Sequence, residues 1–168
     1  MMIMTTIVIL AGGKSTRMGQ DKAMMNGGVS RFWNMYSSLG VERIITLCGE
    51  ESRIDLFEGE VWPDLQNISG PLELIKWCLT QIEGDIQLVS CDAFKLVNTG
   101  AEWLLEHDNG VPVDHNRNRQ PLLARISNRD LIDYEATTIN GLFTRFPSLE
   151  ETKLSKQFSN FNTKSELI

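Results

Sequence analysis

Four consecutive aliphatic residues, Ile7, Val8, Ile9 and Leu10, run directly into Ala11, Gly12 and Gly13, and no other stretch limits the fold so much. Apolar, mostly β-branched residues in unbroken succession describe a strand buried on both faces, and such a strand belongs inside an α/β sheet. Where it ends, the small residues strip side-chain bulk from the chain as it leaves the sheet, so that backbone N–H groups can face an anion. Arg17 and Lys22 add positive charge just beyond the glycines.

The pattern downstream agrees with this reading. "SRFWNMYSSLG" places Phe32, Trp33, Met35, Tyr36 and Leu39 at amphipathic spacing and stops at Gly40, which predicts a helix. "RIITLC" and Glu60 to Trp62 are expected strands, and "SGPLELIKWCLTQIEG" is a helix with Pro71 in its first turn and Gly84 at its close. Ile86 to Val89 forms another buried strand, with Asp92 just past its end. "AEWLLEH" reads as a helix, "GVPVDH" and "PLLARIS" as strands, and "RDLIDYEA" and "INGLFTRF" as short helices. "NTKSELI" opens a final helix with a capping box of Thr163 and Glu166. Alternating strands and helices over the first two thirds predict βαβ units and a largely parallel sheet with right-handed crossovers.

At 168 residues the chain suits one domain, 1–168, and the net charge of -6 argues against a nucleic-acid partner, which would need a basic stripe. Cys48, Cys78 and Cys91 lack the paired spacing of a zinc or redox site and are expected as reduced thiols in the core, as are most of the four tryptophans. "MMIMTTIVIL" has no basic flank or cleavage site and is expected to be the first strand rather than a signal peptide. No apolar stretch approaches the roughly 20 residues of a membrane span. The expected location is the cytoplasm.

The glycine loop is neither of the two common phosphate loops. A Walker A loop needs four residues between its glycines and then Lys-Ser/Thr, whereas five separate Gly13 from Gly19 and Gln20 follows. The dinucleotide fingerprint fails as well, because the first two glycines are adjacent. The full motif "LAGGKSTRMGQDK" instead resembles the signature of nucleotidyltransferases that use an NTP, and most of all that of the molybdenum cofactor guanylyltransferase family. "SGPLELIKW", "VSCDAF", "RQPLLARI" and "FSNFNTKSEL" resemble further segments of that family in the same order, over almost the whole chain.

The resemblance implies a three-layer α/β/α Rossmann-like nucleotidyltransferase fold with a mostly parallel central sheet. It also implies transfer of GMP from GTP to the terminal phosphate of molybdopterin, with Mg2+ as cofactor and release of pyrophosphate, and cofactor delivery or acceptor proteins as further partners. By the same resemblance Leu10, Ala11, Gly12, Gly13 and Lys22 bind the nucleotide, and Arg17, Lys22 and Asp92 act on the triphosphate. Asp92 holds Mg2+ or, on the plainer reading, caps the following turn. Asp64 matches the acidic residue that accepts hydrogen bonds from guanine. Asn160 and Asn162 resemble asparagines near the family's active site, although Asn162 equally suits a helix N-cap. Arg117 and Arg119 form a basic loop that could meet the pterin phosphate or be a solvated turn. His107 and His115 are expected in surface or packing roles.

Three departures from the family pattern stand out. Ser90 and Phe94 replace prolines on either side of the strand-end Cys-Asp, the segment after Lys22 is short, and "CGEES" stands where an asparagine often faces the base. They leave open a nucleotide binder without transfer, or transfer of CMP or to a sugar phosphate.

Overall fold

The computed structural model describes residues 3–12, 24, 27–65, 67, 68 and 70–159. Its centre is β1 (Ile3–Leu10), which pairs in parallel with β2 (Val41–Gly49) on one side and with β4 (Ile86–Ser90) on the other, so that Ile7 lies beside both Ile44 and Gln87. With β3 (Glu60–Pro63) and the antiparallel β6 (Arg125–Ile126) at the edges, the sheet order is β3-β2-β1-β4-β6. Ile7, Val8 and Ile9 are each 0% exposed, as a strand buried on both faces requires.

Successive side chains of β1 serve opposite layers because the strand period is two. Ile7 and Ile9 join Phe32, Met35 and Tyr36 of α1 (Gly28–Ser38) and Ala101 and Leu104 of α3 (Asn98–Leu105). Val8 joins Leu74, Ile75, Cys78 and Leu79 of α2 (Gly70–Gln81) on the other face. The result is a helix–sheet–helix sandwich with a mixed, mostly parallel sheet. Burying each large aliphatic side chain of these two cores contributes roughly 1.5–3 kcal/mol.

Beyond Leu105 the expected elements shrink. "GVPVDH" provides only β5 (Val111–Pro112), which pairs in parallel with β7 (Ser148–Leu149) in a separate two-stranded sheet. "PLLARIS" is not one strand: Pro121–Leu123 is a 3-10 turn and only Arg125 and Ile126 join the sheet. Pro121 starts the turn because it has no N–H to give a ladder. The two short helices become a 3-10 turn, Arg129–Leu131, and α4 (Ile139–Leu142), capped by the Thr138 hydroxyl, which accepts from the Gly141 N–H. The final helix lies outside the described residues.

The tryptophans correct the sequence reading. Trp33 is 38% exposed, and Trp62, Trp77 and Trp103 are half-buried, flanking the cores rather than filling them. Trp62 meets Trp77 edge-on at 5.6 Å, and Trp103 stacks on Phe158 at 5.7 Å. His107 and His115 do pack locally, His107 against the Trp103 carbonyl and His115 against the Ser159 hydroxyl.

Candidate functional site

The chain runs outward from β1 to β2 and β3, then returns to the other side of β1 for β4. This reversal opens a crevice between neighbouring strands at their carboxyl ends, where open α/β sheets receive ligands. A cleft of about 410 Å3 occupies that place. Leu10 and Gly12 line it from the end of β1, Asp64 from the end of β3, and Ser90, Cys91 and Asp92 from the end of β4. Gly70, Pro71 and Leu74 bring the first turns of α2 to its wall. The amino end of that 12-residue helix favours negative charge through its unpaired N–H groups and its dipole.

Two carboxylates enter the cleft in different states. Asp92 is held by the Ser90 hydroxyl, which donates to its Oδ1. The turn that follows is tied down by Arg31 of α1, whose guanidinium donates to the carbonyls of Leu96 (2.6 Å), Ala93 (3.2 Å) and Phe94 (3.3 Å). Asp64 is fixed by its backbone, with its N–H donating to the Gly49 carbonyl at 2.7 Å. Its Oδ1 is buried and meets no hydrogen-bond donor among the described residues. Burial pushes its carboxyl above the usual carboxylate range. The residue itself lines the cleft, so its carboxylate stands next to any ligand held there.

Residues 7–142 match the MobA-like NTP transferase domain family. The chain belongs to this family. A probable molybdenum cofactor guanylyltransferase of Pelotomaculum thermopropionicum is 34% identical over 131 residues, covering 73% of this chain and 63% of that protein. One of Bacillus anthracis is 29% identical over 189 residues, covering 96% of this chain and 92% of the relative. The fold is matched by molybdopterin-guanine dinucleotide biosynthesis protein A from Archaeoglobus fulgidus, with a TM-score of 0.69 at 21% identity over 97% of this chain and 95% of that one.

Within this MobA-like domain the structure brings Leu10, Gly12, Asp64 and Asp92 into one cleft. Ala11 is beside it but wholly buried, its N–H donating to the Leu47 carbonyl at 2.9 Å. Gly12 is small for a reason other than ligand approach alone: a Cβ there would stand 3.1 Å from the Gly49 Cα. Gly13, Arg17, Lys22, Asn160 and Asn162 lie outside the described residues.

Arg117 and Arg119 are not among the residues lining the cleft. Arg117 is exposed, with φ 65°, on a separate groove that also carries Asp114, Glu150 and Glu151. Arg119 has a structural occupation: its guanidinium donates to the carbonyls of Phe143 (2.6 Å) and Phe146 (3.0 Å) and to the Ser148 hydroxyl (2.7 Å). The three cysteines divide as well. Cys48 and Cys78 are buried, while Cys91 is half-buried at the cleft. Burial, with the Asp64 charge adding to it, pushes the Cys78 thiol up to about 12.

Sequence reasoning did not single out Leu122, which also lines the cleft, Ser90 as the partner of Asp92, or Arg31. The missing prolines around "SCDAF" were the available signal, since a turn without them needs another restraint. Among the described residues no helix is long and apolar enough to cross a membrane, and no group of three or more metal-ligating side chains gathers.

Proposed function

We propose that the chain transfers GMP from GTP to molybdopterin, forming the guanine dinucleotide form of the molybdenum cofactor and releasing pyrophosphate. The observation that carries this reading is that Asp64, one of whose carboxylate oxygens meets no donor among the described residues, lines the same cleft as Asp92. Guanine presents adjacent N1–H and N2–H donors, which together suit a carboxylate, whereas the corresponding edge of cytosine has a single donor, the N4 amino group, beside the N3 and O2 acceptors. The curated relatives named as probable guanylyltransferases support the same choice.

In this reading the terminal phosphate oxygen of molybdopterin attacks the α-phosphorus of GTP in line, a P–O bond forms there, and the bond to pyrophosphate breaks. The protein supplies no nucleophile; it positions and neutralises. Gly12 and the amino end of α2 receive phosphate oxygens, and Arg17 and Lys22 balance the charge that grows on pyrophosphate. Asp92 fits Mg2+ in the manner typical of that ion, with one carboxylate from the protein and the remaining oxygens from phosphates and water. Bound there, the ion would polarise the phosphate. The Ser90 hydroxyl and the Arg31 guanidinium hold the Asp92 turn where the family pattern has prolines, so the altered segment retains a restraint suited to turnover.

The test is pyrophosphate release by the purified protein from GTP and Mg2+, with and without molybdopterin. Release that requires the pterin is expected, and Asp92→Asn should lower it at least ~100-fold with the fold intact. GTP binding without release would favour a binder that has stopped doing the chemistry. Preferential use of CTP would overturn the guanylyl assignment.

A further inference from the structure

Arg53 lies in the 3-10 turn Glu51–Leu56, is 5% exposed and takes no place in the cleft lining. Its Nε donates to the Cys48 carbonyl and its Nη2 to the Ala11 carbonyl, both at 2.8 Å. These carbonyls belong to the carboxyl ends of two adjacent parallel strands. We propose that Arg53 is a positioning residue that sets the phosphate side and the base side of the cleft relative to each other. The proposal rests on the reading that this cleft takes a nucleoside triphosphate.

The guanidinium is a rigid planar fork, so two carbonyls bonded to it are held at a fixed spacing. On one side it pins the Ala11 carbonyl, and no peptide bond here is cis. In a planar trans peptide the N–H of the next residue points opposite to that carbonyl, so fixing one orients the Gly12 N–H. Gly12 lines the cleft. On the other side it pins Cys48, whose neighbour Gly49 accepts from the Asp64 N–H at 2.7 Å. Gly12 and Gly49 are also in contact, since a Cβ on Gly12 would come within 3.1 Å of the Gly49 Cα. One buried side chain thereby reaches Gly12 through one intervening residue, Ala11, and Asp64 through two, Cys48 and Gly49. Lysine keeps the charge but is a point donor and cannot hold the same spacing.

The experiment compares the parent and Arg53→Lys by calorimetric titration with GTP, CTP and UTP in the presence of Mg2+, with near-UV circular dichroism as the check on folding. The expected result is at least a tenfold rise in Kd for the preferred nucleotide and a smaller difference between bases. A folded Arg53→Lys protein that binds within twofold of the parent, with the same base preference, overturns the proposal. Hydrogen exchange on the parent tests it without any variant: the amides of Ala11 and Asp64 should open with one common free energy and be protected together by nucleotide. Independent opening overturns it. A parent that prefers CTP defeats the guanylyl reading but leaves Arg53 its role if the variant weakens CTP tenfold, and a parent that binds no nucleoside triphosphate defeats both.

Discussion

Among the described residues, the stretch from Ile3 to Ser90 and the segment from Val111 to Ser159 are held together by different means. In the first, β1 is flanked by two parallel ladders and both layers are closed by apolar side chains, with the arginine-to-carbonyl bonds of Arg31 and Arg53 confined to the strand ends around the cleft. In the second, strands are two residues long and arginines reach across to carbonyls. Arg119 bonds to Phe143 and Phe146, Arg125 to His107, Arg129 to Leu79, Ile82 and Gly84, and Arg145 to Ile132. A ladder shares the fixation of the backbone among many equal bonds, whereas each arginine concentrates it in one side chain. Single substitutions should therefore act through cavities in the sheet core of the first region and, away from the cleft arginines, through lost hydrogen bonds mainly in the second.

The largest effect is expected inside the ladder region. Ile9→Ala removes a side chain that is 0% exposed, and the cavity should lower stability by ~2–5 kcal/mol in urea unfolding. A value under ~1 kcal/mol would erase the contrast between the regions. Next comes Arg129→Ala, which releases three carbonyls at the end of α2 and in the loop after it; ~1–3 kcal/mol is expected by the same method, with Arg129→Lys restoring only part.

Asp64 sharpens the contrast from within the first region, because burial raises the pKa of its carboxyl and the proposed function gives that carboxylate to a ligand. Its folded-state pKa is raised, so the folded protein binds that proton more tightly than the unfolded chain does, and stability without ligand declines as pH rises from the unfolded value of 3.8 through the raised one. Asp64→Asn should raise Tm at pH 7 in the absence of nucleotide while weakening GTP binding, and a fall in Tm would contradict the assignment of strain to this carboxylate. The smallest effect is expected at Tyr36, whose hydroxyl is fully buried without a partner among the described residues. Tyr36→Phe should change stability by less than ~1 kcal/mol, with gain favoured over loss, which the same denaturation experiment measures.

The contrast also explains what the sequence made legible. Ile7 to Leu10 announced the central strand, and the Gly-Pro-Leu start announced α2, because periodicity and helix-start chemistry are local signals. Asp92 could be placed at a strand end for the same reason, whereas Asp64 is reached only through the family resemblance. Their states could not be read in either way: the orphaned Oδ1 of Asp64 and the Ser90 bond to Asp92 depend on packing between distant segments. "PLLARIS" has the composition of a strand, but Pro121 and the buried Arg125 divide it. Arg117 and Arg119 look alike in "HNRNRQ", yet one is exposed and the other holds three oxygens. No spacing distinguishes them, since the partners of Arg119 lie 24 to 29 residues away.

The central position of β1 carries a consequence for how the protein is made. The strand is synthesised first among the elements of the sheet, but its second neighbour begins only at Ile86. During that interval one edge of a strand with almost no charge and a high β-propensity has no partner, which is the exposure that favours pairing with other chains. At a bacterial elongation rate of ~5–20 residues per second the interval is of the order of ten seconds. Yield of soluble protein should therefore depend on temperature and translation speed more than the equilibrium stability of the finished sheet would suggest.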